Sequence, residues 1–334
     1  MTSTPTLNKL IKLLKLPSLT VLMLAAVSHA ADTPPAMPGK DLAQHDFLYA
    51  GEARTRDVYI IRGGKVDWDF HDTSVDGEIS DALMASSGNI VMTHQHGVKV
   101  VDQNRKTLWA YTAEEKHEIH TAQFIGNDRV IFIQSGTRPR IMVANIKTNK
   151  IEREIAIPAG NLNNTHGQLR HARLTSNGTY LVAQMDMKRA VEFDSNGKEV
   201  WILPFPGIWS AKRLDNGNTL ITGKTGVFEY NSKAEVVWSL TPEDLAAYQY
   251  TSFQIAQRLP NGNTLLNHWV NQWSAAGANI DAATAPAQLL EVTPDKKVVW
   301  ALHQWKDPNL GPSTTVQLLD RAEKAEQVYF GDIR

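Results

Sequence analysis

Apolar and polar residues alternate in short runs along most of this chain, and Asn/Gly-rich turns separate the runs. Ile208–Leu240 is the clearest stretch. Ser210–Leu214 alternates, Asp215–Asn218 turns, and Thr219–Thr222 runs back. After a short loop at Gly223–Thr225 come Val227–Tyr230, a second turn at Asn231–Ala234, and Glu235–Leu240. Period-two alternation broken by such turns predicts an antiparallel meander of four strands. One sheet of this size cannot bury both faces alone, so it needs neighbours of the same kind.

The neighbours are present. The closing strand recurs as KVDW ending at Trp68, KTLW at Trp109, KEVW at Trp201, EVVW at Trp238 and KVVW at Trp300, with a degenerate copy at Lys150–Ile157. The opening hairpin recurs at 83–93, 173–183, 213–223 and 258–268. The spacing, typically 37 to 46 residues, is that of propeller blades. Full blades are expected at about 79–112, 119–157, 168–204, 208–240 and 252–302. Phe47–Phe70 has only three strands and lacks an opening one, whereas Ser313–Asp320 resembles an opening strand with no blade behind it. Pairing the two closes the ring and removes exposed sheet edges. The expected fold is therefore an all-β propeller of six four-stranded blades over residues 45–334, closed by the C-terminal strand. A seventh blade stays open if 327–333 adds a strand. Pro242–Tyr248 reads as one or two helical turns, and 271–286 as an insert in the last full blade.

The N-terminus breaks the pattern. Lys9, Lys12 and Lys15 precede the apolar run Leu19–Val27, and Ser28-His29-Ala30 offers small residues before a cut at Ala31. That order is a signal peptide over 1–30, and the run falls well short of the roughly 20 residues that span a bilayer. A Pro-bearing linker over 31–44 follows. Cleavage would remove three lysines and no acid, taking the formal charge from −1 to −4. A periplasmic or secreted protein with no membrane anchor is expected. It has no cysteine, so no disulfide supports the fold. The near-neutral charge gives no reason to expect nucleic acid.

Faces follow from topology. Asn/Gly turns share one face, read as structural; strand-two-to-three loops and blade connections share the other. Of eleven histidines, nine map to this second face or to strand ends facing it: His71, His94, His96, His117, His120, His166, His171, His268 and His303. Trp209, Trp269, Trp273 and Trp305 fall there too, with Arg138, Arg140, Lys188 and Arg189. His120 and His171 open strands that line the central channel, which makes them acid/base candidates. His94, His166 and His268 are placed as supporting binding residues, Arg138 as the captor of an anion, and Trp209 and Trp269 as flat platforms for a sugar ring. A divalent metal on several histidines is the weaker alternative, with His94 and His96 as its candidates. The expected function is a carbohydrate-active lyase or hydrolase acting as a monomer on an anionic oligosaccharide or small molecule. A ligand-binding or scaffold propeller without catalysis is the non-enzymatic alternative.

The motifs Arg213-Leu214-Asp215-Asn216-Gly217-Asn218-Thr219-Leu220, Arg258–Leu266 and Asn196-Gly197-Lys198-Glu199-Val200-Trp201 resemble the repeats of arylsulfotransferase-like and PQQ-like bacterial β-propellers, over roughly 79–302. The resemblance implies the fold, and it offers sulfuryl transfer through a channel histidine, His171 or His120, as an alternative activity. PQQ itself is not expected, since quinoprotein dehydrogenases are larger, eight-bladed and often carry an adjacent cysteine pair.

Overall fold

The computed structural model describes residues 37–51, 56–72, 78–250, 252–270, 281, 284–319 and 325–334. The expected signal peptide, residues 31–36 of the expected linker and most of the 271–286 insert lie outside them. Six four-stranded antiparallel sheets form the blades. Blade I is β1 (Phe47–Gly51), β2 (Asp57–Arg62) and β3 (Lys65–His71), completed on its inner side by β24 (Ser313–Leu318). Blade II holds β4 (Ile79–Met84), β5 (Ile90–His94), β6 (Gly97–Val101) and β7 (Thr107–Thr112). Blade III holds β8 (Glu118–Ile125), β9 (Arg129–Ser135), β10 (Arg140–Asn145) and β11 (Lys150–Ala156). Blade IV holds β12 (Leu169–Leu174), β13 (Tyr180–Gln184), β14 (Arg189–Phe193) and β15 (Glu199–Pro204). Blade V holds β16 (Ile208–Arg213), β17 (Thr219–Gly223), β18 (Gly226–Tyr230) and β19 (Val236–Leu240). Blade VI holds β20 (Phe253–Arg258), β21 (Thr264–His268), β22 (Leu289–Val292) and β23 (Val298–Leu302). The opening strands touch in a closed circuit: β24, β4, β8, β12, β16, β20 and back to β24.

Burial follows from this stacking. Inner strands are covered on both faces and are nearly uniformly buried, as in β5 and β6. Outer strands such as β7 and β11 keep only scattered residues out of water. In four of the six blades the repeated tryptophan on the fourth strand bonds to the chain beyond its own blade. Trp68 Nε1 donates to Gln103 O, Trp109 Nε1 to Asn149 Oδ1, Trp238 Nε1 to Pro294 O and Trp300 Nε1 to Asp41 O, each at 2.9 Å.

The RLxNGNT repeat has an equally local cause. Gly217 takes a positive φ of 82°, which only glycine adopts without strain. Around that turn Asn218 Nδ2 donates to Glu229 Oε1 at 2.7 Å, and Arg258 of the next blade donates to Glu229 Oε2 at 2.6 Å. Asn263 repeats the bond to Glu291, whose outer oxygen faces His45 Nε2 at 2.8 Å in place of an arginine. The repeat is thus a turn and an inter-blade ion pair written in one motif.

Among the described residues no seventh blade forms. Ala325–Gln327 is a single 3-10 turn, and Phe330 and Ile333 make an isolated bridge. Phe330 is fully buried among residues of blades III and IV, and Gly331 N donates to Gly178 O at 2.9 Å. The tail is a strap across the turn face. Residues 242–248 give the expected short helix, a 3-10 segment at Glu243–Tyr248.

Candidate functional site at the channel mouth

The opening strands place consecutive side chains at the axis because the register slips near their starts, between Ile79 and Asp81, Ile119 and Ala122, Leu169 and Ala172, Ile208 and Ser210, and Phe253 and Ala256. A bulge of this kind bends the strand and re-aims side chains, which is why bulges gather beside functional sites. Here they bring charged and polar residues into an otherwise apolar barrel of strands.

At the mouth on the histidine-rich face, His120 lies between two carboxylates. Its Nε2 is 2.9 Å from Glu118 Oε2, and its Nδ1 is 3.4 Å from Glu78 Oε1 and 3.1 Å from Ser80 Oγ. His166, from the turn before blade IV, sets Nδ1 2.8 Å from the same Glu118 oxygen. Gln95 Nε2 donates to the other Glu118 oxygen at 2.9 Å. The donor atoms of Glu118, His120 and His166 all lie within 4.8 Å of one another. Burial raises the Glu78 carboxyl, but the hydrogen bond and charge of His120, with Arg170, bring it down to about 2. Glu118 is likewise held well below the ordinary carboxylate range, against burial, by its bonds to His120, His166 and Gln95.

Arg170 borders this cluster. It is 7% exposed, its guanidinium sits 5.3 Å over the Trp209 ring, and its Nε and Nη1 have no hydrogen-bond partner. Burial lowers its pKa, with Glu78 and Glu118 opposing. His171 lies deeper. Its Nδ1 is also unpartnered, and burial pushes it down to about 4 despite Asp81. Asp81, fully buried, accepts Arg173 Nη1 and Nη2 at 2.7 Å each and Thr121 Oγ1 at 3.0 Å.

The mouth therefore gathers His120, His166, His171 and Trp209 of the sequence candidates. Others lie elsewhere. Arg138 and Arg140 both pair with Glu114, so Arg138's charge is already engaged at the surface. His268 is completely buried, stacked on Tyr250 at 4.1 Å with Nδ1 donating to Ala287 O, and no ligand reaches it. Trp269 follows β21, half-buried, its backbone N–H donating to Ser252 O. His94 is buried at the end of β5, whereas His96 is exposed in the adjoining turn. Among the described residues they join no third metal-ligating group. Glu78, Glu118, Arg170, Asp81 and Arg173 were not among the candidates drawn from the sequence. The available signal was charge inside strands that are otherwise buried, in Glu118-Ile119-His120 and Arg170-His171-Ala172-Arg173.

A cavity of about 900 Å³ opens on the opposite, turn face, lined by Leu214, Leu259, Arg173, Arg213, Arg258 and the tail residue Val328. Its size does not make it the chemical site. Arg173, Arg213 and Arg258 are committed to Asp81, Glu192 and Glu229, whereas the unpartnered Arg170 borders the other mouth, and His171 lines a small space in the channel that adjoins this cavity through Leu83, Arg173 and Lys212.

Two off-site histidines set an acid limit. Burial lowers His94 and His268 to about 4, so both are neutral in the folded protein. The unfolded chain, titrating near 6.5, then binds more protons between those values. Stability is complete above pH 6.5 and falls as pH drops to 4, by up to roughly 3 kcal/mol for His268. Urea midpoints measured across this window should fall less steeply in His268→Phe; an unchanged slope would remove His268 from the account.

No family model matches the sequence, and no curated protein matches it. Solved structures do. A Bacteroides caccae protein of unknown function is similar at a TM-score of 0.70 and 20% identity, covering 81% of this chain and 98% of that one. A catalytically inactive virginiamycin B lyase from Staphylococcus aureus, crystallised with quinupristin, is similar at 0.54 and 11%, covering 82% and 90%. The WD40 propeller of Doa1 follows at 0.51 and 12%, covering 66% and 70%. Likeness at these identities shows the fold alone. It supports the β-propeller fold that the repeat implied, and a resemblance to arylsulfotransferases is not shown.

Proposed function

We propose that the His120 mouth binds an anionic small molecule, an acidic oligosaccharide in the first instance, and transfers a proton on it as a lyase or hydrolase of the periplasm. The observation that carries this is Arg170. A buried guanidinium with two N–H groups unpaired is costly, and a carboxylate or sulfate on a ligand would satisfy both in the forked geometry arginine favours. The Trp209 indole holds that guanidinium in place and offers apolar surface beside it. The carboxylate–histidine cluster next to Arg170 supplies the proton-transfer groups, and charge developing on the ligand would be stabilised by the same cation.

Thermal unfolding with oligogalacturonate, its neutral counterpart and an aryl sulfate tests this. At 100 times its dissociation constant a ligand adds about 2.7 kcal/mol. Oligogalacturonate should stabilise the wild type, with no effect on Arg170→Gln and a reduced one on Trp209→Ala. Equal shifts from the neutral sugar, or a shift that survives Arg170→Gln, would overturn the anion site. A shift with aryl sulfate alone would move the reading to sulfuryl transfer. No shift with any of them would leave a non-enzymatic propeller.

A further inference from the structure

The geometry points to a divalent transition-metal site formed by Glu118 Oε2, His120 Nε2 and His166 Nδ1. It deepens the reading of this mouth as catalytic, and rests on that reading only for its role.

Three independent features support it. The first is convergence. Glu118 Oε2 lies 2.8 Å from His166 Nδ1 and 2.9 Å from His120 Nε2. Ligands bound about 2.1 Å from one ion in a tetrahedral site lie roughly 3.4 Å from each other, so an ion replacing the two shared protons would require the nitrogens to draw back from the carboxylate by about half an ångström. The second is the shell behind the ligands. Gln95 takes Glu118 Oε1 and leaves Oε2 to face the histidines, while Ser80 and Glu78 take His120 Nδ1 and leave Nε2 forward. Fixing the far atoms of these two ligands orients them and raises their basicity, as metal sites require. Thr165 Oγ1 also donates to Lys116 O at 3.1 Å, tying the turn that carries His166 to the start of blade III.

The third is donor chemistry with access. Two imidazoles and one carboxylate suit Zn²⁺, Mn²⁺, Fe²⁺, Co²⁺ or Ni²⁺ rather than Ca²⁺ or Mg²⁺, which take oxygen. The His166 side chain is 53% exposed, so the three-ligand set is open toward solvent. Three protein ligands with a remaining position for water is the catalytic pattern. In that arrangement His120 and His166 are ligands, a metal-bound water is the base, and Arg170 holds the anion.

Protein dialysed against EDTA and titrated with Co²⁺ should develop visible d–d absorption saturating at one equivalent, and Zn²⁺ should displace the cobalt while Mg²⁺ does not. His166→Ala, at an exposed position, should abolish the absorption; Glu118→Gln should do the same. Glu78→Gln, behind the ligands, should weaken binding by about 10–100-fold. Circular dichroism confirms that each variant is folded, and His166→Ala decides the matter if the others are not. An absent cobalt spectrum in wild type, or one unchanged in His166→Ala, overturns the site. Metal binding needs no oligosaccharide, and the oligogalacturonate shift is measured in EDTA as well, so either reading can fall while the other stands.

Discussion

Asp81→Ala lowers stability by about 3–5 kcal/mol, the cost of leaving a buried charge without its partner. The carboxylate it removes is fully buried and receives Arg173 through both oxygens. It also accepts Thr121 Oγ1, the Ala122 N–H and, at 3.5 Å, Thr315 Oγ1. One side chain thereby joins inner strands of blades I, II, III and IV across the axis. Burial works against this carboxylate, yet Arg173, His171 and Thr121 keep it below its ordinary value and charged. Arg173→Met should cost a similar amount. The double variant should recover part of the loss, with a coupling of about 2 kcal/mol or more. Urea denaturation of all four proteins measures it, and additivity within about 0.5 kcal/mol would show that the pair does not act as a unit.

Trp300→Ala should cost about 3–5 kcal/mol, the range for emptying a fully buried tryptophan. Trp300 has no exposed surface, packs edge-on against Phe47 and His45, and donates Nε1 to Asp41 O. It is also the repeat tryptophan that meets blade I, so its cavity would open at the seam of the ring. Trp238 occupies the same repeat position but is only half-buried, with Arg258 over its ring at 4.5 Å. Trp238→Ala should therefore cost about 1–2 kcal/mol. If calorimetry gave the two the same loss, burial would not explain the difference between blades.

Strand pattern and turn chemistry carried the fold because each blade repeats a local rule: alternation, an Asn/Gly turn, a closing tryptophan. They also gave the face on which each loop residue lies. Distance from the axis was not legible in the same way. His94 and His268 end second strands and are buried in blades, whereas His120 and His171 lie on opening strands and reach the channel. One residue of register had as large an effect. Aligned on Arg-Leu, Arg173 matches Arg213; aligned on the turn glycines Gly178 and Gly217, it matches Lys212. The structure follows the glycines, since Arg173 pairs across from Leu181 as Lys212 does from Leu220. A one-residue slip exchanges the two faces of a strand, so Arg173 points to Asp81 while Arg213 bonds Glu192 in the neighbouring blade. Glu78 and Glu118 stayed hidden because their importance comes from two blades meeting, which no single repeat records.

The strand that completes blade I has a bearing on how the protein comes into being. Thr314 bonds Ala50 across 264 residues of chain, so the first strands made wait for nearly the last. Blades II to VI arise from neighbouring hairpins, which form fast; the final pairing is non-local, and such contacts are slow to form. Until β24 arrives, the inner edge of β1 and the apolar flank around Trp300 face solvent, and open edges of that kind recruit other chains. The period of greatest hazard for this molecule is thus its own synthesis, when five blades can already stand and the sixth is still short of one strand.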